Sequence, residues 1–457
     1  MLNVLFWGEL IAQQKPNVIL IVADDLGYGD IGPYGQQKIK TPHLNQLAAG
    51  GKRFTRFYAA STVCAPSRAS LMSGLHTGHT PVRGNIEIQP EGQFPIPDST
   101  QTLAEVFKKA GYKTGAFGKW GLGYPGSAGD PVNQGFDVFY GYNCQRQSHN
   151  YYPTHLWHNR QKLILNNTVT RQQQYAPDII QQQTLSFLEE HKQQPFFLYL
   201  PYTLPHAGLQ VEKGDTLFDH YKTIFQEKPV EIADSWNGEG YQPQAYPRAA
   251  YATMVTTLDR YIGELINKLK ELGVLENTLI IFTSDNGPHR EGGNDPEFFN
   301  SNAGFRGIKR DLYEGGIRVP LIVSWPGKAE AGTVSHHIAA GYDLMATFSE
   351  LLQVRVEKND GISFLPEILS SGTQEKHPFL YWEFIERGGS QAVRMGNWKG
   401  IRLNTRQNRY GSIQLYDLSS DPAENYDLGH RYPSIVRQIS QIMEEQHIEP
   451  ETQGLWK

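Results

Sequence analysis

The run Asn17-Val18-Ile19-Leu20-Ile21-Val22-Ala23 stops abruptly at Asp24-Asp25, and no other stretch constrains the fold as strongly. A continuous, largely β-branched run has no polar face to offer solvent, so it reads as a strand covered on both sides, as in a parallel sheet flanked by helices. Further strand candidates lie at Lys113 to Phe117, Pro195 to Leu200, Thr278 to Thr283 and Val319 to Ser324, each with charged or Gly-rich residues at its C-terminal edge. Between them the pattern predicts helices over Thr102 to Ala110, Pro177 to His191 and Arg248 to Leu272, the last with Ile262, Leu265, Ile266 and Leu269 at helical spacing. Strands alternating with helices point to an α/β fold with a large mixed, mostly parallel sheet. Ligands of such sheets bind beyond the carboxyl ends of the strands, which is where the polar clusters of this chain fall.

From about His377 the texture changes to short strand-like pieces, Phe379 to Trp382, Ala392 to Arg394, Trp398 to Ile401 and Gln414 to Tyr416, followed by a helical stretch from Pro433 to His447. This predicts a small C-terminal domain with an antiparallel sheet and a terminal helix. The organisation expected is a tail or signal remnant over residues 1–15, a large α/β domain over 16–375 and the small α+β domain over 376–457. A chain of 457 residues, 39% of them hydrophobic, can bury a core of that size. The apolar opening Met1 to Gly8 and the small Ala12 suggest the end of a secretory signal and a periplasmic or secreted location, although Glu9 and the missing basic start fit it poorly and leave a cytoplasmic location open. No apolar run is long enough to span a bilayer. Lys plus Arg number 42 against 47 Asp plus Glu, so nothing favours nucleic acid, and any anion must be bound by a few cations placed in a pocket. The two cysteines, Cys64 and Cys144, rule out a disulfide framework.

Cys64 opens the segment Cys64-Ala65-Pro66-Ser67-Arg68, followed by Ala69 to Gly74. Pro66 suits a first helical turn, which places residue 64 at a helix N-terminus where backbone N–H groups favour anions. The pentapeptide and its apolar continuation resemble the C-x-P-S-R signature of the sulfatases, whose Cys is converted to formylglycine by a formylglycine-generating enzyme. The resemblance runs roughly from residue 16 to 440. Asp24-Asp25 and Ser284-Asp285-Asn286-Gly287 resemble the family's metal-binding pairs, Gly118-Lys119-Trp120-Gly121-Leu122-Gly123 and Gly304 to Pro320 its two sulfate-binding lysine blocks, and Tyr202 to His206 the segment with a catalytic histidine.

By that resemblance the chain is a sulfatase of the alkaline phosphatase superfamily, hydrolysing a sulfate ester. Asp24, Asp25, Asp285, Asn286 and modified Cys64 would hold a divalent cation, and hard oxygen ligands favour Ca²⁺ with Mg²⁺ as the alternative. Lys119, Lys309 and Arg68 would neutralise the sulfate oxygens, and His206 would protonate the departing alcohol. A sulfated thiol has no second leaving route, whereas an aldehyde hydrate can take the sulfuryl group on one oxygen and expel sulfate by collapse from the other.

The chain departs from the family at Gly121, where a histidine that contacts the hydrate usually stands; His149 and His79 are the candidates to replace it. The stretch Tyr140 to Trp157, with Arg146, His149, His155 and Trp157, can form a subsite for a sulfated carbohydrate or can be a packed surface loop. A phosphatase or phosphodiesterase of the same superfamily and a non-catalytic glycan-binding relative stay open as alternatives.

Overall fold

The computed structural model describes residues 15–232 and 236–449. The expected N-terminal tail or signal, apart from Lys15, lies outside the described residues. Among the described residues no helix is long and apolar enough to cross a membrane.

Ten strands form one mixed sheet: β1 (Asn17–Ala23), β2 (Lys52–Tyr58), β3 (Lys113–Lys119), β4 (Val138–Tyr142), β5 (His155–His158), β6 (Gln161–Ile164), β7 (Phe196–Pro201), β8 (Thr278–Ser284), β9 (Leu321–Ser324) and β10 (Thr333–Ala340). Their spatial order is β10-β2-β9-β8-β1-β7-β3-β4-β5-β6. The stretch β8-β1-β7-β3-β4 is parallel throughout, while β9, β5 and β6 run antiparallel to their neighbours. The central strand explains its own sequence. Ile19, Ile21 and Ala23 pack into the apolar cluster on one face, and Val18, Leu20 and Val22 into the cluster on the other. With side chains alternating across the pleat, both sets must be apolar, which yields an unbroken run.

On the first face lies the helix Pro247–Glu271, with Leu258, Ile262, Leu265 and Leu269 buried. On the second lie the helices Leu103–Lys109 and Asp343–Leu352, through Leu103, Val106 and Phe107 and through Leu344 and Phe348. The first of these begins at Thr102, whose side chain accepts from the Glu105 amide while Glu105 accepts from the Thr102 amide, a reciprocal cap that sets its start. The expected helices thus appear within a residue or so of their predicted ends, as does Ala176–His191. The sequence pattern did not expose β2, β4, β5, β6 and β10. The edge strand β6 is largely exposed and β2 mixes charged and aromatic residues, so neither carries the apolar run of a doubly covered strand.

The second sheet comprises β11 (Leu380–Phe384), β12 (Ser390–Met395), β13 (Trp398–Leu403) and β14 (Ile413–Asp417), antiparallel throughout. One face takes the terminal helix Pro433–Glu445 through Ile439 and Met443. The other packs Leu380, Trp382 and Ile401 against Tyr58, Ala60 and Val63, the residues that lead into Cys64. Trp382 Nε1 donates to the Ala59 carbonyl at 2.9 Å, so the small sheet braces the approach to the helix Cys64–Ser73.

At the β3–β4 pair, Gly118 and Gly141 are register partners with φ of +137° and +151°. A Cβ on Gly141 would stand 1.9 Å from the Gly118 carbonyl oxygen, and one on Gly118 2.1 Å from that of Pro201. Only glycine lets three backbones approach so closely just before Lys119. Gly118→Ala is therefore expected to destabilise the fold by about 1–3 kcal/mol or more through overpacking, read as a lower urea midpoint; an unchanged midpoint would refute the close approach.

Candidate active site

Four adjacent parallel strands deliver polar residues at their carboxyl ends. In spatial order β8 leads into Asp285 and Asn286, β1 into Asp24 and Asp25, β7 into the loop carrying His206, and β3 ends on Lys119. Backbone contacts hold these ends together: the Asp24 amide donates to the Leu204 carbonyl at 3.1 Å and the Asp285 amide to that of Ala23 at 3.0 Å. The Asp25 amide reaches Asp285 Oδ1 at 3.1 Å, with Asp25 itself at φ +64°. Aspartate tolerates this left-handed conformation better than most side chains.

Cys64 opens the ten-residue helix Cys64–Ser73, every residue of which is buried. Its Sγ lies 3.3 Å from Asp24 Oδ1 and 4.0 Å from Asp25 Oδ1. One turn on, Arg68 sends Nε and Nη2 to Asp285 Oδ2 at 3.1 and 2.9 Å and donates from Nη1 to the Lys119 carbonyl. Lys119 Nζ donates to Asp24 Oδ2 at 2.7 Å and Lys309 Nζ to Asp25 Oδ2 at 2.7 Å. Lys309 arrives on a loop anchored by its own amide on the Pro288 carbonyl. His206 Nδ1 faces the Ala207 carbonyl, which leaves Nε2 3.2 Å from Lys309 Nζ and 3.3 Å from Asp25 Oδ2.

All these side chains are buried, and their titration reflects it. Burial pushes the Asp24 carboxyl up, but Lys119, His206, Arg68 and Lys309 outweigh it and hold the group well below the usual carboxylate range. Burial and then Asp24 push Asp285 up to about 7, against the pull of Arg68. Burial, followed by Lys309, drives His206 well below its ordinary value. Burial and then Asp24 also raise the Cys64 thiol, which disfavours a thiolate there. Asn286 Nδ2 donates to Asp25 Oδ1 at 2.7 Å, while its Oδ1 is buried with no hydrogen bond. An unspent oxygen lone pair on a side chain bound to Asp25, whose carboxylate lies with that of Asp24 and with Cys64 within reach of one ion, suits a hard cation.

Asp24, Asp25, Cys64, Arg68, Lys119, His206, Asp285, Asn286 and Lys309 therefore converge. His149 joins them: its ring stacks on that of His206, centroids 4.8 Å apart and 5° from parallel. Other residues are held elsewhere. Arg146 Nε is paired with Glu87, and His155 and Trp157 both bond to Glu91, at 2.8 and 2.6 Å. His79 sits 2.9 Å from both carboxylate oxygens of Asp360, its ring tilted against that of His76 at 4.0 Å. Sequence reasoning missed His289, Glu291 and Tyr241. His289 is fully buried with Nδ1 3.4 Å from Glu291 Oε2, its ring 5.8 Å from that of His206, and Tyr241 packs on His149 at 5.0 Å. The one available signal was the position of His289, three residues after Asn286 on the same strand-end loop.

With this geometry in place, comparison with known proteins settles the family. The sulfatase family profile matches residues 16–354, and the profile described as the C-terminal part of N-sulphoglucosamine sulphohydrolase matches residues 305–449. The chain belongs to the sulfatase family. It is thereby a sulfuric ester hydrolase of the alkaline phosphatase superfamily, and the phosphatase alternative gives way. This sulfatase is 31% identical to arylsulfatase A of Homo sapiens over 492 residues, covering 95% of this chain and 88% of the relative. It is 28% identical to N-acetylgalactosamine-6-sulfatase of Rattus norvegicus over 483 residues, covering 95% and 86%. Among solved structures it resembles Ps i-CgsB in complex with k-i-k-neocarrahexaose, with a TM-score of 0.80, 29% identity and coverage of 96% and 94% of the two chains.

Removing one partner from a buried ion pair strands the other charge, at about 3–5 kcal/mol. Arg68→Ala, which leaves Asp285 without its guanidinium, is expected to lose stability on that scale in chemical denaturation. A loss below about 1 kcal/mol would mean that the pair behaves as a solvated surface contact.

Proposed function

We propose that this sulfatase cleaves a sulfate monoester on a carbohydrate, with residue 64 as nucleophile after its oxidation to formylglycine by a modifying enzyme. One observation carries the reading: Cys64 Sγ lies 3.3 Å from Asp24 at the start of a buried helix, amid the cations Arg68, Lys119 and Lys309. A neutral, buried thiol is a weak nucleophile, and a sulfated sulfur would stall. Formylglycine, as its hydrate, supplies two oxygens on one carbon, one to accept the sulfuryl group and one to drive its release.

The donors at hand suit a divalent cation. Asp24, Asp25, Asp285 and Asn286 would hold it together with residue 64, and their all-oxygen character favours Ca²⁺, with Mg²⁺ as the alternative. Such an ion supplies Lewis-acid polarisation of the sulfate oxygens. Charge balance supports a cation and an oxyanion binding together. Three buried carboxylates, Asp24, Asp25 and Asp285, now face three buried cations, Arg68, Lys119 and Lys309. Two further positive charges would leave an excess that a sulfate group offsets.

Within that arrangement Lys119, Lys309 and Arg68 bind and orient the sulfate oxygens, charges fixed in advance where negative charge develops. His206 is oriented by the Ala207 carbonyl, which takes the Nδ1–H, so Nε2, beside Lys309 Nζ, carries no proton in the resting site. Nε2 would take up a proton from solvent when the sulfate's negative charge enters and pass it to the leaving alcohol oxygen. The carbohydrate assignment is supported by the names of the relatives: N-acetylgalactosamine-6-sulfatase, and a solved structure holding an oligosaccharide. The packed rings of His149, His206 and Tyr241 offer aromatic faces for a sugar. Residues 16–375 are read as the catalytic unit and 376–457 as the smaller one bracing it.

Mass spectrometry of the peptide bearing residue 64, from protein made in its native host, is expected to show the aldehyde. Cys64→Ala is expected to lower turnover of the best substrate from a panel of sulfated mono- and disaccharides by at least about 10³-fold. A fully active protein with an intact thiol would overturn the nucleophile assignment. Chelation is expected to abolish activity and added Ca²⁺ to restore it; activity indifferent to both would remove the cation from the scheme.

A further inference from the structure

At the carboxyl end of β4, next to Lys119, lies a pair of buried carboxamides with unmet hydrogen bonds. The β3–β4 pairing continues past the strand ends, with the Trp120 amide donating to the Tyr142 carbonyl at 2.9 Å and the Gly121 amide to that of Asn143 at 3.1 Å. Residues 143–145 are thereby held beside Gly121. Gly121 has φ +77°, and a Cβ built there would stand 2.4 Å from Gln145 Nε2. The Gln145 carboxamide thus fills the space that a side chain at 121 would occupy.

Gln145 is only 7% exposed, yet its Nε2 has no hydrogen-bond partner; Asn143, 1% exposed, has none on either side-chain atom. The backbone around Gln145 is fixed, since its amide donates to Gln93 Oε1 at 3.1 Å and its carbonyl accepts from Ser148 Oγ at 2.7 Å. A buried NH₂ group left without an acceptor is costly, so a ligand oxygen is the natural partner. The surroundings indicate which ligand. Lys119, two residues before Gly121, reaches Asp24, and His149, four residues after Gln145, stacks on His206.

We infer that the Gln145 carboxamide is a further catalytic group of this sulfatase, donating a hydrogen bond from Nε2 to an oxygen of the bound sulfate group. The inference rests on the sulfatase reading of the site. It also accounts for Gly121: a larger residue would displace the amide, so a neutral donor from the segment after β4 serves where a side chain from the segment after β3 would otherwise reach in. His149 and His79 are engaged elsewhere, one stacked on His206 and the other bound to Asp360.

The test uses two variants of the full chain, Gln145→Ala and the near-isosteric Gln145→Glu, with thermal melting to verify folding. Inorganic sulfate affinity is measured by calorimetry, and kcat/KM on the best sulfated sugar by initial rates. Loss of one donor to an anion is expected to weaken sulfate binding and lower kcat/KM by about tenfold to 100-fold in Gln145→Ala. Gln145→Glu, which sets a carboxylate against the anion, is expected to lose more while melting like the parent. Parent-like sulfate affinity and kcat/KM in both variants would overturn the inference, as would losses that track melting temperature alone. Failure of the parent itself to hydrolyse any sulfate ester would instead count against the sulfated-carbohydrate reading, and sulfate affinity would still decide the role of Gln145.

Discussion

The structure depends on a buried balance of charge. Asp24, Asp25 and Asp285 are withdrawn from water at the strand ends, a state that is tolerable only because Lys119, Lys309 and Arg68 are withdrawn with them at 2.7 to 3.1 Å. None of the six could be buried alone. Each must therefore be delivered with small positional error, and the fold is arranged to do so: four neighbouring parallel strands end on the same edge, and their connections hydrogen-bond to one another before any side chain is considered.

The rigidity comes from both faces of the sheet. Alternate residues of β1 lock into separate apolar clusters, so the strand that presents Asp24 and Asp25 can neither slide nor tilt without opening a cavity. The helix bearing Cys64 lies on one of those clusters through Ala65, Ala69 and Met72. Its approach is clamped from the far side by the small antiparallel sheet, through Trp382 and the Ala59 carbonyl. The C-terminal sheet thus has a mechanical part in placing residue 64, although none of its strands supplies a residue to the charge cluster.

Local patterns marked the acids immediately after apolar strands and the cysteine before a helix-starting proline, whereas Arg68, Lys119, His206 and Lys309 were legible only through the resemblance of their segments to the sulfatase family. Gln145, Glu291 and Tyr241 lack such patterns, and His289 offers only its place three residues after Asn286. Their places follow from how loops cross above the sheet, which local sequence does not encode. For the same reason the stretch Tyr140 to Trp157 could not be divided in advance. His149 turns to His206, while Arg146, His155 and Trp157 are drawn to Glu87 and Glu91 on a neighbouring loop.

Local sequence was enough to specify the doubly covered central strand, the main helices with their ends and the acids at the strand ends, since periodicity, capping and strand-end acids act over a few residues; the residues for sulfate chemistry came from the family resemblance carried by the same sequence. Tertiary structure alone decided the order of the ten strands, the antiparallel run of β9 and the pairing of each acid with its cation. It also decided that the Gln145 amide, from the segment after β4, occupies the space over Gly121. Those outcomes depend on contacts between residues tens to hundreds of positions apart, where the energy lies in burying one charge against another and one backbone against the next.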